Sequence, residues 1–129
     1  MNPLEGKITR SKIVQKSWGS EEWVFNDEKL NLCSKILAVK KDKGFHFHSH
    51  LNKSEQFLVL SGKVKYFEID PSTRNVNSII LNTGDAIFIK PATSHSILAL
   101  DDLSAILETS TFHEDSDSYR THLNPEISA

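Results

Sequence analysis

The sequence predicts an all-β fold of the barrel or sandwich kind, and three observations carry that expectation. Short runs rich in β-branched and aromatic residues recur along the chain, turn-forming groups separate them, and no segment sustains a helical period for three turns. The first run, Lys35–Lys41, is an apolar stretch between lysines that closes at Lys43-Gly44. Glu55–Leu60 and Lys63–Ile69 flank Ser61-Gly62, the pattern of a hairpin. Asp70-Pro71-Ser72 then turns the chain, because proline fixes φ and Asp and Ser bond back to the backbone. Ser78–Leu81, Ala86–Lys90, Ser96–Leu100 and Ser104–Ser110 follow, separated by Thr83-Gly84-Asp85, Pro91-Ala92-Thr93 and Asp101-Asp102. One helical turn is expected near Asp115–Tyr119, and residues 1–17 and 121–129 read as arms or tails.

A chain of 129 residues is the size of one domain and buries a core without covalent staples. Its 15 basic and 17 acidic residues nearly cancel, so neither a nucleic-acid-binding stripe nor an acidic disordered tail is expected. A single cysteine, Cys33, forms no internal disulfide and reads as a small buried residue in a reducing compartment. The N-terminus lacks the apolar core of a signal peptide, and the apolar runs fall far short of a membrane span. A cytoplasmic protein without membrane contact is the expectation.

Two stretches carry chemistry. In Gly44–Gly62, a strand over His46–His50 places His46, His48 and His50 on one face, with Phe45, Phe47 and Ser49 on the other. Glu55 follows after a spacing that allows a tight turn, bringing a carboxylate to the same point. In Gly84–His95, a turn, a strand and a second turn deliver His95, whose strand can lie beside the first in a barrel. Three imidazoles and one carboxylate (His48, His50, His95 and Glu55) suit one divalent Mn, Fe, Co, Ni or Zn ion and do not suit calcium. An octahedral shell leaves two positions open, whereas a closed tetrahedral one describes a structural zinc.

These stretches resemble the two cupin motifs. His48, His50, Glu55 and Gly62 match the first intact; Gly84, Asp85, Pro91 and His95 match the second, with Lys90 in place of its first proline and Ala92 in place of its glycine. The resemblance spans residues 12 to 120 and implies a single cupin β-barrel of the jelly-roll type, with an N-terminal arm and a short C-terminal turn or tail. Ser17–Asp27 and Ile106–Arg120 are similar to the opening and closing segments of cupin-type mannose-6-phosphate isomerases and of small cupins related to D-lyxose isomerase. That similarity implies a metal-dependent isomerase of a sugar or sugar phosphate.

Aldose–ketose isomerisation needs a polarised carbonyl and a base that moves a proton between adjacent carbons. Glu108 and His46 are the candidate bases. Glu108 is also read as a solvent-facing strand carboxylate, and His46 as a ligand or a cavity filler. Lys53, Lys90 and Arg120 are the cations near the motifs, each read either as a solvated charge or as an anion ligand, with Arg120 the first choice for clamping a phosphate. Trp18 and Trp23 offer sugar stacking, or packing against the barrel or a second subunit. The ligand set also accommodates a sugar-binding module without turnover, or an iron-dependent dioxygenase. A homodimer that covers an edge strand is the expected assembly.

Overall fold

The computed structural model describes residues 6–121. They form eleven strands: β1 (Lys12–Lys16), β2 (Gly19–Asp27), β3 (Leu32–Lys40), β4 (His48–Ser49), β5 (Glu55–Ser61), β6 (Lys63–Ile69), β7 (Val76–Asn82), β8 (Ala86–Ile89), β9 (His95–Ala99), β10 (Leu103–Ser110) and β11 (Tyr119–Arg120). A single 3-10 turn, Asp115–Asp117, precedes β11. One sheet runs β1-β2-β3-β10-β5-β8 and the other β11-β4-β9-β6-β7, with every pairing antiparallel. The two sheets close into the cupin-type jelly roll.

All seven expected runs are strands, with ends displaced by a few residues. Two expectations need correction. The N-terminal arm holds a strand, because β1 pairs with β2 along Lys12↔Trp23 to Lys16↔Gly19. It is an edge strand exposed over most of its length, so its sequence shows no apolar alternation. The second correction concerns His46–His50, of which only His48–Ser49 is strand. The preceding segment is bent onto β9: a Cβ on Gly44 would stand 1.7 Å from the Ile97 carbonyl oxygen, so only glycine fits there. Beyond the bend, strict alternation fails. Phe45 turns inward against Trp18, Phe57 and His48, while Phe47 joins Phe67 and Leu98 in a separate cluster. The expected tail lies outside the described residues, apart from Thr121.

Barrel alternation sorts the interior into two halves. The inward residues Leu37 and Val39 on β3, Ile106 on β10 and Val59 on β5 join Val64, Tyr66 and Ile97 in the main core. Further along the same strands the inward positions become Cys33 and Lys35, Glu108 and Ser110, and Glu55, all buried. One end of the barrel is therefore filled with hydrocarbon, and the other carries ionisable groups on a rigid frame.

Ala92 occupies the turn before β9 with φ of 65°, the left-handed region in which glycine is at ease and alanine is strained. Its N–H donates to the His50 carbonyl at 2.6 Å, which ties this turn to the histidine strand. Ala92→Gly is expected to stabilise the protein by about 1 kcal/mol. Urea denaturation of the two proteins checks this, and a variant no more stable than the wild type would count against strain at this turn.

Candidate metal centre and its cavity

β4, β5 and β9 meet at the polar end of the barrel. His48 pairs in register with His95, and the loop from β4 into β5 delivers Glu55 beside them. One ring nitrogen from each of His48, His50 and His95 lies within 4.8 Å of the other two, a grouping that can hold a metal ion. Glu55 Oε1 stands 2.8 Å from His95 Nε2 and 3.8 Å from His50 Nε2.

The opposite edge of each ring reveals how the nitrogens are used. Nδ1 of His48 faces the His46 carbonyl at 3.1 Å, Nδ1 of His50 that of Asp117 at 3.1 Å, and Nδ1 of His95 that of Thr93 at 2.9 Å. A carbonyl only accepts, so each Nδ1 carries the hydrogen and each Nε2 is left with a lone pair. Backbone carbonyls commonly fix metal-binding histidines in this way. The inward atoms His50 Nε2, His95 Nε2 and Glu55 Oε1 are buried and make no hydrogen bond. Three converging lone-pair atoms without a donor are costly in an empty interior and are satisfied by a cation. The residues present therefore fit a divalent transition metal, with Glu55 placed to join the three histidines.

Electrostatics agree. Burial lowers the His48 imidazole to about 3, with His95 adding to the effect. Burial and Lys53 lower His50 to about 4. Both rings are thus neutral, the form in which they can donate to a metal. Burial alone would raise Glu55, but His95, Lys53 and His50 together hold its carboxyl well below the usual range.

Beside this cluster lies a chain of charges. Lys53 Nζ stands 2.9 Å from Glu108 Oε2, 3.3 Å from Glu55 Oε2 and 3.1 Å from His113 Nδ1. His113 Nε2 continues to Asp115 Oδ1 at 2.9 Å. Lys53 and Glu108 are both buried. Burial raises the Glu108 carboxyl above its ordinary value despite the pull of Lys53, and the two carboxylates raise Lys53 against its own burial. Glu55, Lys53 and Glu108 thus form one buried cluster in which the ammonium holds two carboxylates.

A cavity of about 590 Å³ opens over these groups. His48, His50, Lys53 and Glu108 line it, as do Trp18, Trp23, Lys35 and Phe45. His46 is exposed and sits at its rim with Arg120. Lys90 is exposed and does not line the cavity, because the inward position at the end of β8 belongs to Ile89. Lys53, with one solvated-charge reading in the sequence, is instead an interior ion-paired residue.

Sequence reasoning missed Lys35, His113 and Asp117. Lys35 was legible in principle, since it alternates with the inward Leu37 and Val39. The other two come from the segment after β10, where no periodicity operates. Asp117 is buried in the 3-10 turn; its carboxylate accepts from the N–H groups of Leu51 and Asn52, and its carbonyl receives His50 Nδ1–H. It anchors the loop that connects His50 to Glu55.

No protein-family model and no curated protein matches the chain. Solved structures do match. The capsular polysaccharide assembling protein CapF from Staphylococcus aureus aligns with TM-score 0.78 and 18% identity over 88% of this chain and 35% of that one. Oxalate decarboxylase from Bacillus subtilis aligns with TM-score 0.75 and 16% identity over 90% and 33%. KdgF from Halomonas sp. aligns with TM-score 0.64 and 16% identity over 75% and 81%. The chain spans about a third of the length of the first two. At these identities the likeness is one of fold.

Proposed function

We propose that the protein is a metal-dependent isomerase of a sugar or sugar phosphate, interconverting an aldose and a ketose through an enediol. The observation that carries this reading is Glu108: a carboxylate of raised pKa, buried in the cavity wall and linked through Lys53 to Glu55 of the proposed metal set. The metal, held by His48, His50, Glu55 and His95, would supply the positive charge that polarises the substrate carbonyl.

Glu108 is placed to take the proton from the carbon beside that carbonyl. The electrons of the broken C–H bond form the C=C bond of the enediol, the carbonyl π electrons move to oxygen, and that oxygen takes the proton of the neighbouring hydroxyl. Return of the proton from Glu108 to the former carbonyl carbon, as the neighbouring oxygen becomes the new carbonyl, completes the transfer. Burial raises the Glu108 carboxyl, which makes it a stronger base than an ordinary carboxylate. Lys53 orients Glu108, and Phe45, Phe57 and Trp18 supply the apolar part of the cavity wall. His46 at the rim is placed to touch the open end of the substrate. CapF, described as assembling a capsular polysaccharide, supports a carbohydrate ligand for this barrel.

The test is turnover in D2O of mannose 6-phosphate, glucose 6-phosphate, fructose 6-phosphate and lyxose, with Mn, Co, Ni and Zn supplied in turn. Deuterium is expected in the product at the carbon that receives the proton. If no substrate turns over or exchanges, the isomerase reading falls. Binding of one of these sugars at the metal without exchange would instead favour a sugar-binding module, a role consistent with the grip of Lys53 on Glu108.

A further inference from the structure

The cavity has a second cation that the isomerase reading leaves unused. Lys35 is 3% exposed and lines the cavity. Its ammonium lies 3.9 Å from the centroid of the Trp23 ring, which holds the side chain against one wall. Glu21 Oε1 is its nearest anion, at a loose 3.7 Å. That carboxylate is already engaged, accepting from Trp23 Nε1–H at 3.1 Å and facing Lys16 at 3.8 Å. Among the described residues the Lys35 ammonium makes no hydrogen bond, so its three donors are available at the cavity wall.

The charge of this wall is unbalanced. Lys12, Lys16, Lys35 and Arg120 line the cavity against Glu21 and Asp115, since Glu108 is matched by Lys53. The register gives the spacing. Lys35 faces Glu108 on β10, and Glu108 faces Phe57 on β5, two residues from Glu55. Two strand steps place the Lys35 backbone about 10 Å from β5. This is the reach of a five- or six-carbon sugar whose carbonyl end lies at the histidines.

We propose that Lys35, positioned on Trp23, is a specificity residue that binds an anionic group, phosphate or carboxylate, at the end of the substrate remote from the three histidines. The inference deepens the isomerase reading and rests on it for the orientation of the sugar. It also shifts the anion contact inward from the rim cation Arg120 and away from Lys53, whose charge two carboxylates already engage.

The experiment is calorimetric titration of the zinc-loaded full chain with glucose 6-phosphate, glucuronate and glucose. The wild type is expected to bind at least one of the two anions about tenfold or more tightly than glucose. Glucose 6-phosphate and glucuronate separate phosphate from carboxylate recognition. Lys35→Met is expected to bring the anions to within about twofold of glucose with metal content unchanged, and Lys35→Arg to retain the preference. The proposal is overturned if the wild type binds no anion more tightly than glucose, or if Lys35→Met keeps the preference. Because the readout is binding, an absence of deuterium exchange would remove the isomerase reading without touching this result.

Discussion

His95→Ala lowers the metal content of the purified protein by a factor of about 100 at equal free metal, while His46→Ala leaves it near the wild-type value; this is the expected result of removing one converging lone pair against removing a rim residue. His95 Nε2 is the atom nearest Glu55 Oε1, and its Nδ1–H is fixed on Thr93, so no rotation of a neighbour can replace it. His48→Ala and His50→Ala are expected to behave in the same way. Elemental analysis of the four variants beside the wild type decides the matter. Near-equal metal in all five proteins would remove the site from the molecule.

Lys53→Met should cost the metal-free protein about 3 to 5 kcal/mol, since it leaves Glu55 and Glu108 buried with their ammonium partner gone. Loss of one member of a buried charge cluster is more damaging than loss of the whole, because the remaining charges keep their desolvation cost. The double variant Lys53→Met/Glu108→Gln is therefore expected to recover a substantial part of that stability. Urea denaturation at neutral pH in the presence of a chelator measures both. A single variant within about 1 kcal/mol of the wild type would show that the trio is not the electrostatic unit its distances describe.

Much of the fold was legible because a barrel strand writes its alternation into the sequence. Lys63–Ile69 matches β6 to the residue, and β10 differs from its expected span by one residue at its start. The ligand spacing could be read for a similar reason: His48, His50, Glu55 and His95 sit at strand ends, and strand geometry is regular. Legibility failed where regular geometry stops. The bend at Gly44 is set by the approach of β9, a contact distant in sequence, and it turned Phe45 inward and left His46 at the rim. β1 was hidden because an exposed edge strand needs no apolar pattern. The inward direction of Glu108 could not be chosen from β10 alone, since Ile106, Glu108 and Ser110 share one face and Leu107 and Thr109 the other. The register against β3 and β5 is what turns the Glu108 face into the barrel.

The return of the chain over the histidines sets an order of events. The Asp117 carbonyl receives His50 Nδ1–H across a sequence separation of 67, Arg120 pairs with His48 in the strand register, and the Thr121 N–H reaches the Phe47 carbonyl. During synthesis, His48, His50, Glu55 and His95 all leave the ribosome before the residues that lock two of them in place. Closure over so long a separation is slow compared with local hairpin formation. A nascent chain halted before Asp115 thus displays His48, His50 and His95 while lacking the carbonyl that fixes the His50 tautomer. Completion of the histidine cluster therefore belongs to the last stage of folding.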